Sequence, residues 1–411
     1  MGEQIDMDNM SSSGFQTYVS GKTSEKAGRP RIVRPGAHSE MASRMAAFGP
    51  MTFAEFMGLA LYWHDGGYYA SSQPRWGASG DYITSIDVSP VFSRTIAKQV
   101  EEVWRILGRP SGFELIEAGA GRGWLSIGVL DALARINPVL RRTMKTRLVE
   151  RNPRGQRVSI EGATWHESIK ELTPVENAMI VSNELVDSFP VHIVEYNNGM
   201  LLEVRVDHDG HSFREVLMEP STPALEKYFR DSGIALANGQ RAEVNLIALD
   251  WLKAASGLMQ RGFIATVDYG LPARELYAPE RRGGTLHCHY KHTMHDNPYL
   301  NVGGQDITAF VDFTALARTG ASVGLEVTGF TTQKNFLLGL GILDAALAPD
   351  DVNLENYAKI RHNQLIKELI MPGGMGDTFK VLVQHKGVNN PRPRLAGFSF
   401  KDMKEALFKT A

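Results

Sequence analysis

The stretch FELIEAGAGRGWLS, residues 113–126, constrains the fold more than any other. An apolar run of strand length leads into an acid, Glu117. Three glycines follow, Gly119, Gly121 and Gly123, and then an apolar stretch resumes. Glycine tolerates positive φ and lets a ligand come close to backbone amides. A strand, a glycine turn and a helix open an α/β sheet that binds ligands beyond its strand ends. The spacing is G-x-G-x-G. Trp124 stands where the third glycine of the dinucleotide pattern G-x-G-x-x-G would fall.

The rest of the chain extends that unit. Strands are expected at 113–118, 146–150, 163–167, 177–184 and 262–270, with two more at GLEVTGF and TFKVLVQH near the end. Helices are expected from about 123 to 136, over RNPRGQRVSI (151–160) and over 244–260. The alternation predicts an α/β sheet with helices on both faces. Ahead of it, Thr52 and Glu55 form a capping box for a helix at 52–64. A second helix fits 89–107, with Ser89 as cap, Pro90 at the first helical position and Gly108 past the end. Residues 189–218 alternate instead like antiparallel strands, with Asn198-Gly199 as a hairpin turn. This block reads as a β insertion after the fourth core strand. The expected division is a flexible tail 1–48, a helical segment 49–110 and a core 111–386. The core carries insertions at about 189–243 and 269–311 and a helical addition at 331–370. A C-terminal tail covers 387–411.

Composition narrows the function classes. A net charge of −2 gives no global field toward nucleic acid or an anionic membrane. No apolar run approaches the roughly 20 residues that span a bilayer. FLLGLGILDAALA at 336–348 is short and contains Asp344, and its Leu337, Leu338 and Leu340 fit either core or the face of a homodimer. The single cysteine, Cys288, excludes an internal disulfide and fits a reducing compartment, so a cytoplasmic location is expected. The acid-bearing start lacks the apolar core of a signal peptide. Translation from Met10 would leave a segment somewhat like a mitochondrial transit peptide, which makes the mitochondrial matrix the alternative. His287, Cys288, His289, His292, His295 and Asp296 lie together, but in no standard zinc spacing and all in one segment, so no metal is expected.

The acids point to the cofactor. Glu150 ends the second strand, where a carboxylate accepts hydrogen bonds from both ribose hydroxyls of an adenosine. A nicotinamide enzyme would use it the same way. Glu117 discriminates: it suits the ammonium and sulfonium of S-adenosylmethionine and would repel a pyrophosphate. In SNELVDSFPVH (182–192), Asn183, Glu184 and Asp187 are either helix or turn caps or the groups that hold a nitrogen nucleophile. Methyl transfer is a displacement in which alignment supplies much of the acceleration, up to about 7–11 kcal/mol. A guanidinium acceptor must also lose a proton, and paired acids are the equipment for that.

Taken together, GYY (67–69), GDYITS (80–85), ELIEAGAGRGWL, SNELVDSFPVH, DYG (268–270), GGTLHCHYKH (283–292), GGQDITAFVDFTAL (303–316), TTQKNFLLGLGI (331–342) and MGDTFKVL (375–382) resemble, in order, the MidA-like methyltransferases. That family includes the mitochondrial assembly-factor methyltransferase of respiratory complex I. The resemblance spans about residues 50–386. It implies a class I, Rossmann-like methyltransferase fold, S-adenosyl-L-methionine as cofactor and a protein arginine acceptor in a complex I subunit. It places the cofactor on Gly119, Gly121, Gly123 and Glu150, with Asp81 and Thr84 approaching from the N-terminal side. It assigns the N-E-x-x-D-x-x-P segment to Asn183, Glu184, Asp187 and Pro190. Asp268, His292, Gln305, Asp306 and Asp312 match recurrent polar positions around the groove. Ala120 replaces the family's usual proline, and Phe189 brings a bulkier side chain than the usual D-A-L-P-V. The Phe189 change keeps a small-molecule O- or N-methyltransferase open as an alternative. A non-catalytic S-adenosylmethionine-binding assembly factor is a second alternative, and a nicotinamide oxidoreductase a third.

Overall fold

The computed structural model describes residues 35–70, 85, 90–152, 157–347, 354–388 and 393–409. A short strand, β1 (Met51–Thr52), precedes the core. The first half of the core holds β2 (Phe113–Ala118), β3 (Lys145–Val149), β4 (Ala163–His166) and β5 (Val175–Asn183). An antiparallel block follows: β6 (His192–Asn197), β7 (Met200–His208), β8 (Phe213–Met218) and β9 (Gln240–Val244). The chain returns to the core in β10 (Met259–Leu271) and leaves it for β11 (His287–Tyr290), β12 (Thr293–His295) and β13 (Asp306–Thr308). β14 (Val311–Asp312), β15 (Glu326–Thr332) and β16 (Phe379–Lys386) complete the set.

The central sheet runs β15-β16-β10-β5-β2-β3-β4. Its strands are parallel except β16, which is antiparallel to both neighbours. This order, with one reversed strand next to the edge, is the class I methyltransferase sheet. The strand order changes direction between β2 and β5, and a crevice opens beyond the C-terminal ends of strands at such a switch point. β2 is buried along its whole length, as a central parallel strand covered on both faces must be.

Local chemistry explains the covering helices. Pro90–Ile106 buries Val91, Phe92, Ile96, Ala97, Val100, Val103 and Trp104 along one face. It lies so close to Trp124–Ile136 that a Cβ at Gly128 would overlap the Ser93 hydroxyl. The Thr52–Glu55 capping box forms as the sequence predicts, and it opens the helix Phe53–Tyr62.

Three expectations are corrected. Residues 35–48 are a helix rather than tail, because Ala37, Met41 and Met45 recur every fourth position and all three are buried. They share a core with Phe53, Phe56 and Met57, with Val204 and Val206 of β7, and with Cys288 and Ile307. β1 pairs with β7, so the N-terminal segment, the β insertion and the 286–309 connection pack as one lobe. Residues 157–160 are not helical, and 153–156 lie outside the described residues. The C-terminal segment is not free either: Leu395 and Phe398 pack into the main core, and Leu407 is buried in the cluster on the opposite face. Of the two readings open for Leu337, Leu338 and Leu340, the core one holds: Leu337 and Leu340 are core residues and Leu338 packs against them.

Candidate active site

β2 ends at Ala118 and the chain turns through three glycines, all at positive φ: 73° at Gly119, 54° at Gly121 and 85° at Gly123. At Gly119 a side chain is excluded twice, because a Cβ would also lie 2.8 Å from Leu185 Cδ1. The Gly119 and Ala120 amides donate to the Val149 carbonyl at 2.9 and 3.0 Å, which ties the turn to the end of β3. Ala120 therefore supports the turn that proline usually makes. Glu150 follows directly: its Oε2 accepts from the Gly121 amide at 2.9 Å and its Oε1 from the Asn152 amide at 2.9 Å.

Glu117 lies behind the turn. Its Oε2 accepts from the Ser126 amide at 3.0 Å and from the Ser126 hydroxyl, which joins the end of β2 to the first turn of Trp124–Ile136. Burial pushes its carboxyl up to about 7, and the Glu150 charge adds to the shift. No phosphate could be accommodated cheaply beside these two acids.

Across the switch point, β5 delivers the second half of the site. Asn183 Nδ2 donates to Glu184 Oε1 at 3.0 Å. Glu184 sits at φ 53°, held by its amide donating to the Val267 carbonyl of β10 at 3.0 Å. A non-glycine residue in that region stores strain where the surroundings over-determine it, and such residues cluster at active sites. The Ser85 amide also donates to Glu184 Oε1, at 3.2 Å, so the end of the GDYITS segment does reach this side of the sheet. Asp81 and Thr84 lie outside the described residues.

Asp187 is 4% exposed, and its Oδ1 has no hydrogen-bond partner. Burial raises its pKa well above the usual carboxylate range, with Asp268, Asp306 and Glu184 adding negative charge in turn. Asp268, at the end of β10, is itself pushed up to about 7 by burial. Its Oδ2 accepts from the amides of Leu185 at 3.2 Å, Val186 at 2.8 Å and Asp187 at 3.4 Å, which shapes the loop after β5. Asp306 accepts from the Tyr69 hydroxyl at 3.0 and 3.2 Å. Four carboxylates thus converge beyond β5 and β10, and they cannot all ionise without a cation among them.

Three other residues named from the sequence stand apart. Asp312 caps the helix Phe313–Ser322 through the Ala315 amide and accepts from Tyr228. Gln305 is buried and its Nε2 donates to the carbonyls of Asn297 and Pro298. His292 is exposed, with φ 60°, in the turn between β11 and β12. Phe189 packs against the core cluster of Val186 and Leu252 and meets the Trp251 ring edge-on at 6.2 Å. Its packing is on the core side, half-buried. Tyr62 and Arg151 were not singled out from the sequence. Tyr62 hides in an apolar helix pattern, and Arg151 merely follows an acid.

A glycine turn with a carboxylate on its amide, at the switch point of this sheet, defines a class I S-adenosylmethionine-dependent methyltransferase. Residues 95–331 match the profile of the family described as "Putative S-adenosyl-L-methionine-dependent methyltransferase", and the chain belongs to that family. It is 28% identical over 85% of its length to the Drosophila melanogaster "Protein arginine methyltransferase NDUFAF7 homolog, mitochondrial", of which 84% is covered. It is 26% identical to the Homo sapiens protein arginine methyltransferase NDUFAF7, covering 85% of this chain and 83% of that one. A superfamily protein from Burkholderia thailandensis, solved bound to S-adenosyl-homocysteine, superposes with a TM-score of 0.77 at 26% identity. That match covers 90% of this chain and 95% of the other. No helix among the described residues is long and apolar enough to cross a membrane. The relatives are mitochondrial by name, which gives the cytoplasmic expectation no support.

Proposed function

We propose that the enzyme methylates an arginine side chain of a protein acceptor. The buried, unpartnered Oδ1 of Asp187 among Asp268, Asp306 and Glu184 is the observation that carries this reading. A delocalised, weakly hydrated guanidinium suits such a site better than a neutral metabolite does. The relatives named protein arginine methyltransferases support the same acceptor.

The residues that would hold the cofactor are Gly119, Gly121 and Gly123, with Glu150 on the ribose and Glu117 beside the turn. S-adenosylmethionine supplies, when bound, an electrophilic methyl group on a sulfonium. The chain's own part is to orient and deprotonate the acceptor. Asp187 and Glu184 accept hydrogen bonds from guanidinium N–H groups, and Asn183 fixes the Glu184 carboxylate. One of the two carboxylates takes the proton that the nitrogen gives up. Asp268 positions this pair through the amides of 185–187. The acceptor that the family resemblance implies is a subunit of respiratory complex I, and the location of the named relatives favours the mitochondrial matrix.

The test is methyl transfer from labelled S-adenosylmethionine into an extract of the source cells, followed by hydrolysis and amino-acid analysis. Label in methylarginine is expected. Label only in small molecules would reverse the acceptor assignment. Saturable cofactor binding with no transfer to any fraction would favour a non-catalytic assembly factor.

A further inference from the structure

The acid cluster has an aromatic wall. Tyr62, at the end of Phe53–Tyr62, stacks on Tyr69 with ring centroids 5.3 Å apart and planes 19° from parallel. Both hydroxyls are tied to the cluster. Tyr69 donates to Asp306, and Tyr62 donates to the Ser188 carbonyl at 2.9 Å, one residue beyond Asp187. Burial raises the pKa of the Tyr62 hydroxyl, and the Asp306 and Asp187 charges add to the shift. A guanidinium already lies over the Tyr62 ring: that of Arg151, 5.0 Å from the centroid. Arg151 is exposed, and it follows the Glu150 that closes the glycine turn.

We propose that the Tyr62 ring is the face on which the acceptor guanidinium stacks, and that Arg151 holds this place in the free enzyme until the acceptor displaces it. The inference rests on the arginine reading and deepens it. A flat guanidinium lies on an aromatic face and still presents its N–H edge to carboxylates. Tyr62 offers the face, and the charges of Asp306 and Asp187 act on its hydroxyl, so the acids for the edge belong to the same cluster. A compact ammonium gains less from the same wall, so the arrangement selects arginine over lysine. Arg151 occupies the ring while no acceptor is bound. Tyr62 and Arg151 are thus specificity residues.

The experiment titrates methylguanidinium, and methylammonium in parallel, into enzyme saturated with S-adenosylhomocysteine, for the wild type, Arg151→Ala, Tyr62→Leu and Tyr62→Phe. The affinity for S-adenosylhomocysteine is measured in each variant as a check on the cofactor half of the site. Arg151→Ala should bind methylguanidinium roughly 3- to 10-fold tighter than wild type, the scale of one displaced cation–aromatic contact. Tyr62→Leu should weaken it by a similar factor, and Tyr62→Phe should retain it because the ring remains. Methylammonium should change little throughout. Unchanged or weaker binding in Arg151→Ala, equal binding in Tyr62→Leu, or no methylguanidinium binding in any variant overturns the proposal. Label found in methylarginine alongside those results would leave the arginine reading standing. Label absent from arginine would sink that reading, while the titrations still decide the Tyr62 face.

Discussion

Glu150 Oε2 accepts a hydrogen bond from the Gly121 amide at 2.9 Å, so the residue that ends one strand closes the turn that follows its neighbour. The pair ties ribose recognition to the shape of the glycine turn. Glu150→Ala should weaken S-adenosylhomocysteine binding by roughly 10- to 100-fold, the range of hydrogen bonds to a charged group. Gly121→Val, which forces a branched side chain onto φ 54°, should abolish it. Calorimetric titration with S-adenosylmethionine, S-adenosylhomocysteine and NADH checks both variants. NADH binding in preference to the adenosyl ligands would contradict the assignment.

Asp187 and Glu184 should behave as acceptor residues. Asp187→Asn and Glu184→Gln should each reduce turnover by about 10²- to 10⁴-fold and change cofactor affinity far less. Asp187→Asn should also raise the unfolding temperature, because a buried acid among three others is costly to the fold. Equal losses in turnover and cofactor affinity would place these residues on the cofactor instead.

Glu117 should leave a mark on stability against pH. Its carboxyl titrates near 7 in the fold and near 4.3 in the unfolded chain. Between those values the folded state holds a proton that the unfolded state has lost, so stability falls as pH rises through the window. The shift corresponds to about 4 kcal/mol. Glu117→Gln keeps an acceptor for Ser126 and removes the titration. Urea unfolding at pH 5 and pH 8 should therefore show a smaller loss in the variant than in the wild type. Equal losses would mean that Glu117 is already ionised at pH 5.

The N-terminal helix should be structural. Met41 is fully buried, and Met41→Ala should cost about 2–5 kcal/mol. Deleting residues 1–48 should lower the thermal midpoint by more than Met41→Ala does. An unchanged midpoint after deletion would restore the reading of this segment as tail.

Much of the cofactor half was legible because its signals are local. Strand period, a glycine turn and an acid closing the next strand lie within forty residues, and nearest-neighbour sterics dictate them. The capping box at Thr52 and Glu55 was legible for the same reason. The helix at 35–48 was missed because its apolar stripe is carried by alanine and methionine within a basic, serine-rich surrounding. It becomes a stripe only once β7 and the 286–309 connection cover it.

The sequence by itself determined the sheet, the glycine turn, its acids and the list of polar residues near the groove. Tertiary structure alone decided which of those residues meet. It brought Asp268 and Asp306 to Asp187, turned Asp312, Gln305 and His292 to caps, loops and turns, and set Arg151 over the Tyr62 ring. The reason is range. A turn or a cap is set by residues a few positions apart, whereas Tyr69 and Asp306, separated by 237 positions, become partners only when the N-terminal segment packs on the 286–309 connection.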